Sequence, residues 1–124
     1  GITRAGRCAA PVILLDIYPT LVELAGLPAK EGIEGTSLAS LLRDPASKWD
    51  RATLTTHGRG NHTIHSGRWR YIRYADGSEE LYDHQADEME WTNLANNTSY
   101  AAVIAEHAKW LPTVNAPESP AEEN

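Results

Sequence analysis

The fold of this chain is decided by a stretch in its second half, Glu80-Leu81-Tyr82-Asp83-His84-Gln85-Ala86-Asp87-Glu88-Met89-Glu90-Trp91-Thr92-Asn93-Leu94. Its first residues predict a β-strand, its carboxylate-rich middle predicts a turn, and its last residues lead towards a helix. The carboxylates lack the spacing of an EF-hand calcium loop, which needs glycine at its sixth position and glutamate at its twelfth. We therefore expect a solvated acidic turn in which Asp83 and Asp87 accept hydrogen bonds from loop N–H groups.

Three further strand candidates precede this stretch. They cover residues 52–56, 62–65 and 68–74, which are rich in β-branched and aromatic side chains. Asp76-Gly77 separates the last of them from a strand at Glu79–Asp83, and this dipeptide favours a type I′ turn with φ > 0 at both positions. The sequence therefore predicts an antiparallel sheet of about four strands.

A helix is predicted before the sheet. Ile17, Leu21 and Leu24 recur at the spacing of one helix face. Asp16 is the candidate N-cap of this helix, and Gly26 stands where a glycine reverses the chain at a helix C-terminus. We expect a helix that buries a single apolar stripe.

Two more helices complete the predicted elements. A short one covers residues 38–42, with Thr36 or Ser37 as its cap. The last one runs from about Thr98 to Trp110 and carries an apolar stripe along one side. The predicted fold class is α+β, with this last helix packed on one face of the sheet.

Composition and charge exclude some classes of partner. The 124 residues are 41% hydrophobic and 23% charged, with a formal net charge of −6 and a pI of about 5.3. An acidic chain lacks the basic surface that nucleic acids require, and no apolar run approaches the roughly 18 residues of a membrane span. We expect no nucleic-acid partner and no membrane. Residues 112–124, rich in Pro, Glu and Asn, are predicted to form a disordered tail.

Four blocks, in chain order, resemble the C-terminal part of sulfatases. The opening stretch resembles the family's Leu-Tyr-Asp-x-x-x-Asp-Pro-x-Glu-x-x-Asn-Leu motif, with Glu88 in place of the proline. The other blocks are residues 12–27, residues 34–38 followed by Leu41-Leu42, and residues 67–72. The Trp69–Tyr74 run is most similar to iduronate-2-sulfatase-like members.

The resemblance implies a longer enzyme that hydrolyses sulfate esters, of which this chain is a C-terminal fragment. Sulfatases use a formylglycine nucleophile, made from the first residue of Cys/Ser-x-Pro/Ala-x-Arg, and a divalent cation, usually calcium. Cys8 has Ala10 at the third position of that motif, but Val12 stands where arginine is required. We therefore expect no catalytic residue, metal ligand or cofactor in this chain, and no activity from the chain alone.

An organisation and a set of partners also follow from the resemblance. Residues 1–45 would end an alkaline-phosphatase-like catalytic α/β domain, and residues 46–111 would form the sulfatase C-terminal subdomain. The implied partners are the rest of the catalytic domain and a sulfated carbohydrate substrate, in a protein exported to the periplasm or outside the cell. Because the first helix would lack its natural partner, Ile17, Leu21 and Leu24 should be unusually exposed.

The substrate-binding candidates are His57, Arg59, Asn61 and His62, on a polar, glycine-containing loop between two predicted strands. Arginine and imidazole donors suit the anionic groups of sulfated sugars, and binding residues concentrate on loops that a rigid scaffold holds. A zinc site of His57, His62 and His65 is disfavoured, because the odd spacing of His62 and His65 places them on opposite faces of a strand. An ordinary connecting loop is the other interpretation.

Two functions from different classes stay open at this point. In the first, the chain closes the substrate pocket of a sulfatase and stabilises its catalytic domain. In the second, it is a free-standing, non-catalytic binding or interaction module built on a small sheet. An upstream reading frame that encodes Cys/Ser-x-Pro/Ala-x-Arg would support the first, and a start codon at or near Gly1 would support the second.

Overall fold

The computed structural model describes residues 5–117 and divides the chain into two compact units, with the boundary between Arg51 and Ala52. The first unit contains two helices, and the second contains a four-stranded sheet and a third helix. None of the helices within residues 5–117 has the length and apolar character to cross a membrane. Residues 112–117 of the predicted tail contain no helix or strand, and residues 118–124 lie outside the described residues.

The first unit is built on helix α1 (Ile17–Leu24), which follows a 3-10 turn at Leu14–Asp16. Gly26 has a φ of 67° and reverses the chain after α1, as the sequence predicts. Helix α2 (Ala39–Arg43) follows, one residue further along the chain than predicted. Both predicted helices of this unit are confirmed.

Asp16 has a different role from the predicted N-cap. Its side chain makes no capping bond to α1. The buried carboxylate instead accepts hydrogen bonds from the Thr36 N–H at 2.8 Å and the Ile13 N–H at 3.1 Å, and pairs with Arg51 at 2.5 Å. Burial raises the pKa of Asp16, but these hydrogen bonds and the Arg51 charge outweigh burial and lower the pKa below its ordinary value. Asp16 therefore joins three separate segments of the first unit.

Helix α1 exposes its apolar stripe, as expected for a helix without its partner, so the prediction from spacing alone that the stripe is buried is wrong for this chain. The exposed fractions are 49% for Ile17, 60% for Leu21 and 47% for Leu24. Leu14, in the preceding turn, is 84% exposed. Large apolar side chains of the first unit thus face solvent, a feature that is typical of surfaces made to contact another protein surface.

The second unit contains the predicted antiparallel sheet. Its strands, in both spatial and chain order, are β1 (Thr53–Thr56), β2 (His62–His65), β3 (Trp69–Arg73) and β4 (Glu79–Asp83). The register aligns Ile64 with Tyr71 and Tyr71 with Leu81. Because side chains alternate along a strand, these three residues lie on the same face.

Helix α3 (Ala101–Ala108) covers that face and closes the core. Ile64, Tyr71 and Leu81 have no exposed surface, and Ile104 of α3 packs against this cluster. The helix presents the predicted apolar stripe to the sheet. The α+β fold, with the last helix on one face of a four-stranded antiparallel sheet, is confirmed.

A serine–histidine contact fastens α3 to the sheet. The Nδ1–H of His107 donates to the Val103 carbonyl at 2.7 Å, because a carbonyl only accepts. His107 Nε2 then lies 2.9 Å from Ser66 Oγ, in the turn between β2 and β3. No carboxylate contacts His107 in the described part of the chain, so the pair lacks the acid of a catalytic triad.

The turn between β3 and β4 differs from the predicted type I′ hairpin. Gly77 has a φ of 85°, as predicted, but Asp76 does not have a positive φ. The Gly77 N–H donates to the Tyr74 carbonyl at 3.0 Å, and the Tyr74 N–H donates to the Ser78 carbonyl at 3.0 Å. This is a three-residue loop with glycine at its left-handed position. Only one residue needs a positive φ, and Asp76 instead accepts a hydrogen bond from the Ser78 N–H at 2.9 Å.

The acidic stretch after β4 is less solvated than predicted. Asp83 is buried, and Arg68 donates to both of its carboxylate oxygens, at 2.7 and 2.5 Å. The predicted bonds to loop N–H groups are present, from Gln85 to Asp83 at 3.1 Å and from Thr92 to Asp87 at 2.7 Å. The expectation of a solvated carboxylate is wrong for Asp83, because Arg68, 15 residues earlier in the sequence, pairs with it.

Candidate functional site

The four candidate residues lie on the loop between β1 and β2 and at the first position of β2. The loop is closed by a hydrogen bond from the His57 N–H to the Asn61 carbonyl, at 3.0 Å. Gly58 and Gly60 have φ values of 66° and 78°, which residues with a Cβ rarely adopt. The two glycines therefore permit a tight reversal with Arg59 exposed between them.

A second loop steadies the first. Asn61 Oδ1 accepts a hydrogen bond at 3.1 Å from the Ala75 N–H, in the turn between β3 and β4. Gly60 approaches the same turn so closely that a Cβ at this position would lie 3.1 Å from the Ala75 Cβ. The Asn61 amide oxygen thus positions the loop, and Gly60 allows the close contact.

A cleft of about 510 Å³ opens between these two loops and the residues that follow α3. Arg59 and His62 both line the cleft, together with Arg73 and Asn115. The structure therefore brings two of the four candidates to one cavity. His57 is exposed on the same loop but is not part of the cleft lining.

Both ring nitrogens of His62 have partners. Nδ1 lies 2.9 Å from Thr56 Oγ1, and Nε2 lies 2.6 Å from the side-chain oxygen of Asn115. Because an amide oxygen only accepts, Nε2 bears the hydrogen and donates the hydrogen bond to Asn115, while the Thr56 hydroxyl is the hydrogen-bond partner of Nδ1. Thr56 thus fixes a ring orientation with an N–H donor at the cleft. Sequence reasoning missed Thr56 and Asn115, since neither belongs to a motif and Asn115 falls in the predicted tail.

Arg59 and Arg73 both line the cleft, and a carboxylate already neutralises Arg73. Glu79 pairs with Arg73 at 2.6 Å and accepts a hydrogen bond from the Tyr71 hydroxyl. The Tyr71 hydrogen bond, with that of Arg73, lowers the pKa of Glu79 against the opposing effect of burial. Burial, followed by the Glu79 contact, raises the pKa of Tyr71 to about 12. Arg59 has no carboxylate partner within residues 5–117, so it is the cation available to an incoming anion.

The cofactors implied by the sulfatase resemblance do not fit this part of the chain. Between residues 5 and 117, no three His, Cys, Asp or Glu side chains are grouped to hold a metal ion. His65 lies on the opposite face of β2 from His62. Cys8 is exposed, and Val12 stands where formylglycine formation requires arginine. The described residues therefore provide neither a calcium site nor a formylglycine precursor.

Sequence reasoning also missed a polar cluster on the face of the sheet opposite α3. Glu90 accepts hydrogen bonds from Arg70 at 2.9 and 3.1 Å and lies 2.6 Å from His84 Nε2. Glu90 is the one non-glycine residue with a positive φ, 57°, among those described, so these contacts hold a strained backbone. Burial, followed by the charges of His84 and Arg70, lowers the pKa of His65, whose ring lies 5.3 Å from that of His84. The one sequence indication was the position of Glu90 in the acidic motif.

Residues 2–116 match the family model described as N-sulphoglucosamine sulphohydrolase, C-terminal. The chain belongs to this sulfatase family. The resemblance drawn from the four sequence blocks is therefore confirmed, and the chain is a sulfatase C-terminal portion.

Individual sulfatases match over the same region. A sulfatase from Formosa agariphila is 42% identical over 113 residues, which cover 91% of this chain and 22% of the relative. A Delta 4,5-hexuronate-2-O-sulfatase from Bacteroides thetaiotaomicron is 36% identical over 109 residues, covering 78% and 22%. The solved structure of a 2-O GAG sulfatase superposes with a TM-score of 0.61 at 30% identity, covering 76% and 22%. The chain spans about a fifth of the length of these relatives.

Proposed function

We propose that this sulfatase C-terminal portion supplies a substrate-recognition loop to a longer enzyme that hydrolyses sulfate esters on a sulfated carbohydrate. The observation that carries the proposal is that an exposed arginine, Arg59, and the Nε2–H donor of His62 line the same cleft. Both groups donate to oxygen, and sulfate and carboxylate oxygens are their natural acceptors. A relative that is named as a hexuronate-2-O-sulfatase supports a sugar as the substrate class.

The chemistry of the reaction belongs to the rest of the longer enzyme. In this proposal residues 1–45 complete its catalytic α/β domain, and residues 46–111 form the C-terminal subdomain that closes the substrate pocket. Ile17, Leu21 and Leu24 of α1 are exposed, which supports the docking of this helix against the rest of the catalytic domain. The nucleophile and the divalent cation come from outside residues 5–117.

Arg59 is the main contributor to recognition. A guanidinium donates two parallel hydrogen bonds to an oxyanion, and such a contact is worth roughly 1.5–3 kcal/mol, or about ten- to a hundredfold in affinity. His57 or His62 adds a hydrogen-bond donor from one end of the same loop. Because Arg59 is exposed, its contribution should shrink as ionic strength rises.

A hybrid enzyme tests the proposal. Residues 2–116 replace the matching segment of the 42%-identical relative, and the hybrid is compared with its Arg59→Ala variant. The KM for a sulfated disaccharide should rise about ten- to a hundredfold, whereas the kinetics on 4-nitrophenyl sulfate should stay unchanged. Arg7→Ala is the matched control, because Arg7 is exposed and outside the cleft lining. Equal kinetics for Arg59→Ala and the unmodified hybrid on both substrates would remove the loop from the site.

The same proposal requires that the 124-residue chain alone has no sulfatase activity. The aldehyde nucleophile and the metal-binding carboxylates of this chemistry are not supplied by residues 5–117. The measurement is release of 4-nitrophenol from 4-nitrophenyl sulfate by the purified chain. Turnover that survives repurification and is not traceable to contamination would contradict this division of labour.

A further inference from the structure

The cleft beside Arg59 already holds a side chain of the protein itself. The segment Pro112–Asn115 follows α3, and we call it the strap. Pro112 and Asn115 line the cleft, and the Asn115 side-chain oxygen lies 2.6 Å from His62 Nε2. The strap therefore places an oxygen acceptor on the donor that the proposed function assigns to a ligand.

We propose that Asn115 is a built-in competitor for the anionic ligand of this cleft, so that the strap opens when a sulfated sugar binds. This inference rests on the proposed function. The amide oxygen of Asn115 occupies the position that a sulfate or carboxylate oxygen would take on the His62 Nε2–H. Thr56, which fixes the ring from Nδ1, keeps the donor directed at that position for either acceptor.

The hydrogen bond between Asn115 and His62 is strong enough to hold the strap at the cleft and weak enough for a ligand to displace it. Asn115 is exposed, and its bond to His62 is the one hydrogen bond that the strap makes within the described residues. A neutral hydrogen bond of this kind favours the closed state by about two- to tenfold. A charged oxyanion forms a stronger bond to the same donor and gains a second one from Arg59. The ligand can therefore displace the strap.

The expected effect on binding follows from the closed population. When only a fraction of the molecules is in the binding-competent state, the apparent dissociation constant equals the intrinsic constant divided by that fraction. Removing the Asn115 side chain should thus tighten ligand binding by about two- to tenfold. Asn115→Asp should do the opposite, because a carboxylate pairs better with His62 and Arg59 and repels the anion.

Calorimetric titration of the 124-residue chain tests the inference, with a 2-O-sulfated Δ4,5-hexuronate disaccharide as the probe. Its desulfated form and inorganic sulfate show whether the sugar carboxylate or the sulfate is recognised. Asn115→Ala should bind the sulfated disaccharide about two- to tenfold more tightly than the wild type. Thr113→Ala, an exposed strap residue without a hydrogen bond in the described structure, should bind like the wild type.

A second readout needs no ligand. Diethylpyrocarbonate modifies accessible imidazoles, and His62 should react faster in Asn115→Ala than in the wild type, with exposed His57 as the internal reference. Unchanged His62 reactivity, unchanged affinity, or no saturable binding by Asn115→Ala would each overturn the inference. Arg59→Ala separates the two proposals. If Arg59→Ala weakens binding while Asn115→Ala has no effect, the inference about the strap is wrong and the proposed role of Arg59 is supported. If Asn115→Ala tightens binding and Arg59→Ala has no effect, the inference about the strap is supported and the proposed role of Arg59 is wrong.

Discussion

The two units of this chain bury their apolar residues to very different extents. In the second unit, Ile64 and Leu81 have no exposed surface. In the first unit, Leu14 is 84% exposed and Leu21 is 60% exposed. The second unit therefore closes its own hydrophobic core, whereas the first is organised by a buried polar residue, Asp16. In the proposed function, the second unit carries the recognition residues, and the first presents an exposed apolar surface that suits a partner.

The largest effect expected from this contrast is a difference in the free energy of unfolding between two leucine-to-alanine variants, one in each unit. Leu81→Ala should lower the free energy of unfolding of the second unit by about 3–5 kcal/mol, because it leaves a cavity in a closed core. Leu21→Ala should change stability by about 0.5 kcal/mol or less, since its side chain is already largely in water. Urea unfolding followed by NMR at the two sites measures both, and comparable losses would abolish the contrast.

A polar truncation tests what holds the first unit together. Asp16→Ala should cost the first unit about 3 kcal/mol, since it leaves Arg51 and two backbone N–H groups without their buried acceptor. Glu23→Ala removes an exposed ion pair with Arg43 in the same unit and should have no measurable effect. Amide hydrogen exchange in α1 reports both changes. Equal protection in the two variants would show that Asp16 is not the organising residue.

The hairpin between β3 and β4 contributes to the stability of the second unit. Gly77→Val should destabilise the second unit by about 1–2 kcal/mol, because a β-branched residue is strained at the φ of 85° found there. Gly67→Val is the control, since Gly67 does not have a positive φ and a Cβ added there would meet no atom within 4 Å. An unchanged urea midpoint for Gly77→Val would mean that the turn is open in solution.

The smallest expected difference lies in the response to acid. The pKa is lowered for Asp16 and Glu23 in the first unit, and for Asp76, Glu79, Asp83 and Glu90 in the second. A carboxyl group with a lowered folded pKa stabilises fully above its unfolded value near 4, and this contribution is lost as pH falls through the folded value. The second unit should therefore lose more stability between pH 5 and pH 2.

Site-resolved urea titrations at several pH values measure this difference. Asp83→Asn should make the stability of the second unit less dependent on pH. It removes a carboxyl group whose pKa is lowered chiefly by its hydrogen bonds from Arg68. Partial exposure of the paired arginines keeps the effect small. Identical pH dependence in the two units would contradict the assignment.

The sheet and α3 could be predicted because their determinants are local in sequence. Strand residues, the glycine of the hairpin and the apolar stripe of α3 are each visible in a short window. The roles of Asp16 and Asp83 could not be predicted, since their arginine partners lie 35 and 15 residues away. The same limit applies to the site. Composition and glycines predicted a binding loop with Arg59 and His62, and the structure places both at one cleft. The contact of His62 with Asn115, 53 residues along the chain, appears only in the fold.

The most direct test of the account is an NMR titration of the ¹⁵N-labelled chain with a 2-O-sulfated Δ4,5-hexuronate disaccharide. If residues 57–62 bind the disaccharide, their amides and Arg59 Nε should show saturable chemical-shift changes, and α1 (Ile17–Leu24) should show none. Arg59→Ala should abolish or strongly weaken those shifts. Shifts confined to the first unit, or no response of residues 57–62 at saturating disaccharide, would contradict the claim that the second unit carries the recognition loop.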